Sequence, residues 1–127
     1  MRNPKTTTPV EVTLPVRIVS ITNEREHWRS RSRRAKAHRH AALAVPAFRP
    51  LPCRVTLTRI APRKLDDDNL RSAFKSLRDG IADRLGVDDR DPRVVWDYRQ
   101  ERSTAKTYAA RVEIVAITQA EADADES

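Results

Sequence analysis

Carboxylates gather at two places in this chain: Asp66, Asp67 and Asp68 stand before an apolar-periodic run, and Asp88, Asp89 and Asp91 stand after it. The whole chain carries 25 Lys and Arg against 18 Asp and Glu, a formal net charge of +7. Within that basic background, two knots of negative charge cost folding free energy unless something cationic offsets them. A hard divalent cation would do so, because Mg²⁺ takes carboxylate oxygens, keeps several waters and completes its shell with substrate phosphate. The plain structural reading stands beside it: one residue of 66–69 caps a helix and 88–91 form a polar turn. One cap needs only one side chain, so capping leaves most of the first cluster unexplained. An EF-hand calcium loop does not fit. Counted from Asp66, position five is Leu70, position six is Arg71 where glycine is needed, and position twelve is Leu77 where a bidentate Glu is needed.

The element between the clusters must position them. Leu70, Phe74, Leu77, Ile81 and Leu85 follow steps of four, three, four and four, which predicts one helix over 70–85 with a single apolar stripe. Arg71, Lys75 and Arg78 flank that stripe on the side where Asp68 points, and Gly86 stops the helix. A straight helix of that length would hold its ends about 24 Å apart. A shared site therefore requires a shorter or bent helix, or a second cluster delivered by a dimer partner.

Upstream, Val10, Val12 and Leu14 alternate with polar residues, and Val16 and Ile18 continue past Pro15. This predicts a strand at the border of a sheet, edged at the proline. It delivers residues 20–23 to a loop, and Asn23-x-x-Glu26 opens a helix over 24–43 as a capping-box variant. That helix carries Arg25, Arg29, Arg31, Arg33, Arg34, Lys36 and Arg39, with Trp28, Ala35 and Ala42 as a thin apolar seam. A solvated basic face is one reading. The other is a surface tracking a phosphate backbone, with Asn23 and these seven cations as DNA contacts, because neutralised phosphates release counterions. His27, His38 and His40 lack an acidic or Cys partner at metal spacing and read as backbone or surface contacts. Pro46, Pro50 and Pro52 stiffen the connection to a strand over 53–60, where Cys53, Val55 and Leu57 alternate with Arg54, Thr56 and Thr58. Strands over 94–101 and 107–118, joined by a polar turn at 102–106, predict an antiparallel hairpin. Residues 119–127 are acidic and polar and are expected to be disordered.

These elements give an α+β fold: a single mixed β-sheet of about four strands with two α-helices packed against it, in the order β-α-β-α-β-β, over residues 1–118. Several function classes fall away. Cys53 is alone, so an intramolecular disulfide and a Cys-based zinc site are excluded. Two glycines cannot build a glycine-rich phosphate loop, and two Trp with two Tyr are too few for single-strand stacking platforms. No apolar run reaches membrane length and the first residues lack a signal-peptide core, so the expected compartment is the cytoplasm, with no membrane partner.

The run Asp66-x-Asp68-Asn69-Leu70, a helix, then Asp88-Asp89 and the valine-led strand Val94-Val95-Trp96-Asp97-Tyr98-Arg99 resembles the RusA family of Holliday junction resolvases. Leu14-Pro15 and Ser20-Ile21-Thr22-Asn23, ahead of the basic helix, are similar to that family's amino-terminal strand and loop, so the resemblance spans about residues 10–118. It implies a homodimeric, Mg²⁺-dependent endonuclease of bacteria and their phages, acting on four-way DNA junctions in recombination and repair. It also implies that Asp66, Asp68 and Asp89 hold one or two Mg²⁺ ions, with Mn²⁺ a substitute and Asp88 and Asp67 as further ligands. The family's lysine, four residues after the second Asp, falls here on Ser72, and Arg71 or Lys75 on the same flank stands in at the phosphate. Asn69 caps the helix or orients a ligand. Two other functions fit the same residues: a non-catalytic DNA-binding or regulatory protein, and a nuclease for another branched DNA such as a flap or fork.

Overall fold

Cys53, Val55 and Leu57 are fully buried along one face of strand β2 (Cys53–Ala61), and a strand so enclosed needs a paired neighbour on each side to satisfy its backbone. The computed structural model describes residues 9–20, 28–47, 50–104 and 106–126. It provides both neighbours: β3 (Val94–Arg102) runs parallel to β2, and β4 (Ala109–Ala116) runs antiparallel on the other side. Strand β1 (Val10–Leu14) pairs antiparallel with β4, giving the order β1-β4-β2-β3. The fold is α+β with a four-stranded mixed sheet, and β1 lies at its border, as Pro15 predicts.

The expected hairpin does not form. β3 and β4 are consecutive and opposite in direction, but β2 lies between them. The link after β3 crosses the end of β2, where the Ser103 N–H donates to the Ala61 carbonyl at 3.0 Å. Two inter-strand spacings are about 10 Å, well within the reach of six residues.

Register places Val10, Val12 and Leu14, Ala110, Val112 and Ile114, the β2 triplet, and Val94, Trp96 and Tyr98 on one face. The predicted apolar stripe packs against that face, with Leu70, Phe74, Leu77, Ile81 and Leu85 all buried. Each such side chain contributes about 1.5–3 kcal/mol by leaving water.

The predicted single helix over 70–85 is broken. Helix α2 (Asp67–Ala73) ends at Phe74, whose backbone sits at φ −88°, ψ −4°, and helix α3 (Lys75–Leu85) starts on its far side. The Phe74 N–H is shared between the carbonyls of Leu70 and Arg71, a tightened last turn, while its own carbonyl accepts from the Arg78 N–H at 2.8 Å. Its fully buried ring fixes the bend against the sheet, with the Tyr98 ring centroid 6.0 Å away. Gly86 ends α3 in the left-handed conformation, φ 75°, as expected.

Helix α1 (Trp28–Ala41) continues as a 3₁₀ turn, Ala42–Ala44, and packs on α3. The expected seam is only half present: Ala42 is buried and Ala35 half-buried, but Trp28 is exposed. His38 takes the inward position, and its Nε2–H donates to the Arg17 carbonyl at 3.1 Å. Residues 119–126, expected to be disordered, form a fourth helix among the described residues, α4 (Gln119–Glu126). Thr118 and Glu121 cap it reciprocally, side chain to backbone N–H in each direction at 3.1 Å, and Ala122 is buried. Among the described residues no helix is long and apolar enough to cross a membrane.

Candidate active site

The loop carrying the first acidic cluster is fixed from two strands. Arg59 is buried at the end of β2, and its guanidinium donates to the carbonyls of Ile18 (2.7 Å) and Arg63. Gln100, on β3, holds Leu65 by both backbone groups: Oε1 accepts from the Leu65 N–H and Nε2 donates to the Leu65 carbonyl, each at 2.8 Å. Asp66 follows at the N-cap of α2, φ −64°, ψ 155°, and its carboxylate makes no capping hydrogen bond. Asp66, Asp67 and Asp68 are exposed, and none of their side chains is paired or hydrogen-bonded among the described residues. Capping therefore does not account for even one of the three.

The second cluster divides its work. Asp88 Oδ1 accepts from the Arg90 N–H at 2.8 Å, which holds its carboxyl below the ordinary range. Asp91 is held low by the Arg93 guanidinium, with Oδ2 2.7 Å from Nη2, and then by the Arg93 N–H. Both are turn-forming. Asp89 is not used in this way: its carboxylate lies 3.9 Å from Arg78 Nε and its carbonyl accepts from Arg78 Nη2 at 2.6 Å. Of the three candidates for a third ligand, Asp89 is the one that lines the cleft beside Arg71 and Lys75, while Asp91 joins it in a separate pocket below Arg78.

Two adjoining clefts separate the clusters. One, of about 600 Å³, is lined by Asp67, Leu70, Arg71, Arg78, Trp96, Asp97 and Tyr98 among others. The other, of about 320 Å³, is lined by Arg71, Ser72, Lys75, Arg78, Asp89, Arg90 and Tyr98. Arg71, Arg78 and Tyr98 belong to both, so Asp67 opens on one side of these residues and Asp89 on the other. Asp66 and Asp68 share the α2 turn with Asp67 but line neither cleft. Among the described residues, no three His, Cys, Asp or Glu side chains are close enough together to hold a metal ion. The structure thus does not bring Asp66, Asp68 and Asp89 into one ligand set. It places cations between them.

These cations differ in their attachments. Arg71 lies over the Tyr98 ring at 5.7 Å. Lys75, expected on the Asp68 side, reaches Asp79 at 3.5 Å and is exposed. Arg78 donates to Tyr98 Oη at 2.6 Å and lies 4.6 Å from the centre of the Trp96 ring. Sequence reasoning placed Arg78 on the correct flank but gave it no part in the site. It also passed over Asp97, Trp96 and Tyr98, although period-two alternation from the apolar Val94 was the available signal for the two rings.

No family model matches the chain. An uncharacterized protein of Xylella fastidiosa (strain Temecula1 / ATCC 700964) is 39% identical over 82 residues, covering 54% of this chain and 52% of that protein. The chain spans about half the length of that relative.

Around the site the basic helix continues the positive surface. Arg29, Arg33, Lys36 and His40 are exposed and recur at steps of four, three and four, one outward stripe opposite His38 and Ala42. On the inward side, a groove of about 240 Å³ between α1 and the two helices after β2 is lined by Arg31, Arg34, His38, Arg39, Ser72 and Lys75 among others. Ser72 and Lys75 also line the Asp89 cleft, so groove and cleft adjoin at these two residues. Asn23 and Arg25 lie outside the described residues. Cys53, away from this surface, is an inert core thiol pushed up to about 11 by burial and then by the Asp91 charge.

Proposed function

We propose that this chain is a Mg²⁺-dependent endonuclease of branched DNA, cutting four-way junctions as a homodimer in the manner of the RusA-like resolvases it resembles. One observation carries the reading: Asp66, Asp67 and Asp68 at the start of α2 are unpaired among the described residues, and Asp67 and Asp89 line adjoining clefts that share Arg71 and Arg78. Their chemistry fits a hard cation. They are oxygen donors, negatively charged, and not engaged by the protein itself. Asp66 and Asp68, with Asp67 beside them, would hold the ion, and Asp89 or Asp88 would join them only after a rearrangement, since no three such ligands lie together among the described residues; Mn²⁺ would serve as well. When bound, such an ion lowers the pKa of a coordinated water and stabilises charge on the attacked phosphate.

The chain's own residues do the rest. Gln100 and Arg59 fix the loop before Asp66, so the carboxylates enter a preformed position. The α1 stripe and the groove behind it bind the phosphate backbone without reading sequence. In the reaction the water oxygen bonds to phosphorus, one bridging P–O bond breaks, and the leaving oxygen takes up a proton. Arg71 and Arg78 face the space where negative charge grows.

The test is incubation of a labelled four-way junction with the protein in Mg²⁺ and in EDTA, with a linear duplex and a flap of the same sequences beside it. The expected result is junction cutting in Mg²⁺ only. Equal cutting of the flap makes the protein a broader branch nuclease. Tight binding to every DNA with no cutting in either ion condition favours the non-catalytic DNA-binding reading, which the exposed Arg29-Arg33-Lys36 stripe also supports.

A further inference from the structure

The end of the sheet where β2 and β3 finish and β4 begins gathers cations that the sequence scatters. Arg17 follows β1, Arg63 and Lys64 follow β2, Arg102 closes β3, and Lys106 precedes β4. Register brings these ends together: Leu14 lies opposite Ala110, Ile60 opposite Ala109, and Ala61 opposite Arg102. The five cations are exposed, and none belongs to an ion pair among the described residues. Glu101, next to Arg102, is already taken by Arg111 at 3.0 Å. The groups beneath are fixed and add to the charge. Arg59 is 7% exposed, and its guanidinium is held by the carbonyls of Ile18 and Arg63, with no carboxylate partner among the described residues. Arg17 lies 4.0 Å from the centre of the Tyr108 ring. The link to β4 is tied by the Ser103 hydroxyl, which donates to the Thr107 carbonyl at 2.7 Å, and Lys106 turns it at φ 65°. Like charges gathered by folding repel one another, and a buried guanidinium without a counter-charge adds to that cost. A polyanion offsets it.

The chemistry of this end narrows the partner. Among the described residues the exposed large apolar side chains are Trp28, Leu43 and Val115, on α1, on the turn after it and at the far end of β4. No apolar anchor for a membrane therefore stands here. Tyr108, with Arg17 on its ring, is a poor platform for a stacked base. What remains is charge alone, which suits the phosphate backbone of a duplex. From β4 to β3 is two inter-strand spacings, about 10 Å, which matches about three phosphates along one strand.

We propose that Arg17, Arg63, Lys64, Arg102 and Lys106 form a second docking surface for the phosphate backbone of duplex DNA, apart from α1. Helix α1 packs on α3 over the helical face, whereas this surface closes the end of the sheet. Lys64 leads through Leu65, held by Gln100, to Asp66, so a duplex seated here lies against the loop that carries the first acidic cluster. A branched molecule then rests one arm on each surface. The surface is independent of the nuclease reading, because a protein that binds DNA and never cuts it would use it equally.

The experiment uses the full chain in EDTA and follows fluorescence anisotropy of a labelled four-way junction and a linear duplex at several salt concentrations. One variant combines Arg63→Gln, Lys64→Gln and Arg102→Gln; a second combines Arg63→Lys and Arg102→Lys, which keeps the charge; a third is Arg102→Gln alone. Substitution at 63 leaves in place the carbonyl that Arg59 holds, and thermal unfolding confirms that each variant is folded. The expected slope of log affinity against log salt flattens by about 0.9 per lost phosphate contact, about 2 to 3 for the triple variant and about 0.9 for Arg102→Gln. The lysine variant keeps the parent slope, since a phosphate contact of this kind needs only the charge. Adding Arg29→Ala, Arg33→Ala and Lys36→Ala to the triple variant should flatten the junction slope further, by what those three changes cause alone. A triple variant with the parent slope overturns the proposal, as does a lysine variant that loses as much. Losses that do not add place both sets of cations on one surface and overturn the claim of a second. Vesicles of phosphatidylserine and phosphatidylcholine are the last arm: binding to them that needs these cations, with DNA slopes unchanged, overturns the proposal in favour of an anionic membrane surface.

Discussion

The carboxamide of Gln100 holds both backbone groups of Leu65 at 2.8 Å, so β3 fixes the residue immediately before Asp66. Gln100→Glu keeps the acceptor for the Leu65 N–H but leaves its carbonyl facing a carboxylate. An unpaired, half-buried carbonyl of this kind costs about 1–3 kcal/mol. The expected outcome is faster amide exchange at Leu65 and slower junction cutting, with little change in binding to DNA in EDTA. Exchange measured by NMR on both proteins checks it. Unchanged protection of Leu65 would mean that the loop is held by Arg59 alone.

A Cβ built on Gly80 would lie 2.7 Å from the Ala42 Cβ and 3.2 Å from the Arg39 Cα, so α1 and α3 meet at a point where only hydrogen fits. Gly80→Ala gains helix propensity but overpacks this crossing, and a net loss of about 1–3 kcal/mol is expected. Adding Ala42→Gly removes the closest opposing carbon and should restore part of that loss. Denaturant unfolding of the three proteins decides it. A more stable Gly80→Ala variant would show that the helices separate freely.

His38 is buried against the Arg17 carbonyl, and desolvation, more than the repulsion from Arg34, lowers its pKa below the ordinary 6.5. The unfolded chain therefore binds a proton more readily than the native state. Stability from the neutral ring is complete above about pH 6.5 and is lost as pH falls from there through the lowered native pKa. His38→Gln, which keeps an N–H donor and cannot titrate, should flatten that limb of the stability curve between pH 7.5 and 5. Parallel curves for the two proteins would contradict it.

The exposed stripe Arg29, Arg33 and Lys36 predicts a sequence-independent loss when all three become Ala. Log affinity against log salt should flatten by about 0.9 per lost phosphate contact. Fluorescence anisotropy with linear and branched DNA at several salt concentrations measures it. An unchanged slope would place the DNA on another surface.

Much of this architecture was legible because burial writes itself as period. The stripe from Leu70 to Leu85 and the alternation of Cys53, Val55 and Leu57 each gave a correct face. Gly86 gave a correct helix end because only its φ of 75° is hard for other residues. Periodicity cannot report a bend that preserves the stripe, so the break at Phe74 was invisible, and the 24 Å span left a bent helix and a dimer partner as equal alternatives. Pairing was equally hidden: β3 and β4 are adjacent in sequence, and only the enclosure of β2 on both sides forces them apart. Helix α4 was a missed local signal, since Thr118-x-x-Glu121 is a capping box in plain view. The site showed its carboxylates but not the long-range contacts that sort them. Asp88, Asp89 and Asp91 look alike in sequence, and only their partners Arg90, Arg78 and Arg93 separate two turn formers from one cleft residue.

The most direct measurement is the rate at which Asp68→Asn cuts a labelled four-way junction in Mg²⁺, set beside its affinity for the same junction in EDTA. Asn keeps the shape and removes one ligand charge from a side chain that caps nothing and pairs with nothing among the described residues. The expected result is cutting reduced on the order of 10²-fold or more with binding in EDTA preserved or slightly tighter, because a repelling carboxylate has gone. Cutting at the wild-type rate by a variant that binds normally would show that the α2 carboxylates are not metal ligands, and would contradict the proposed site.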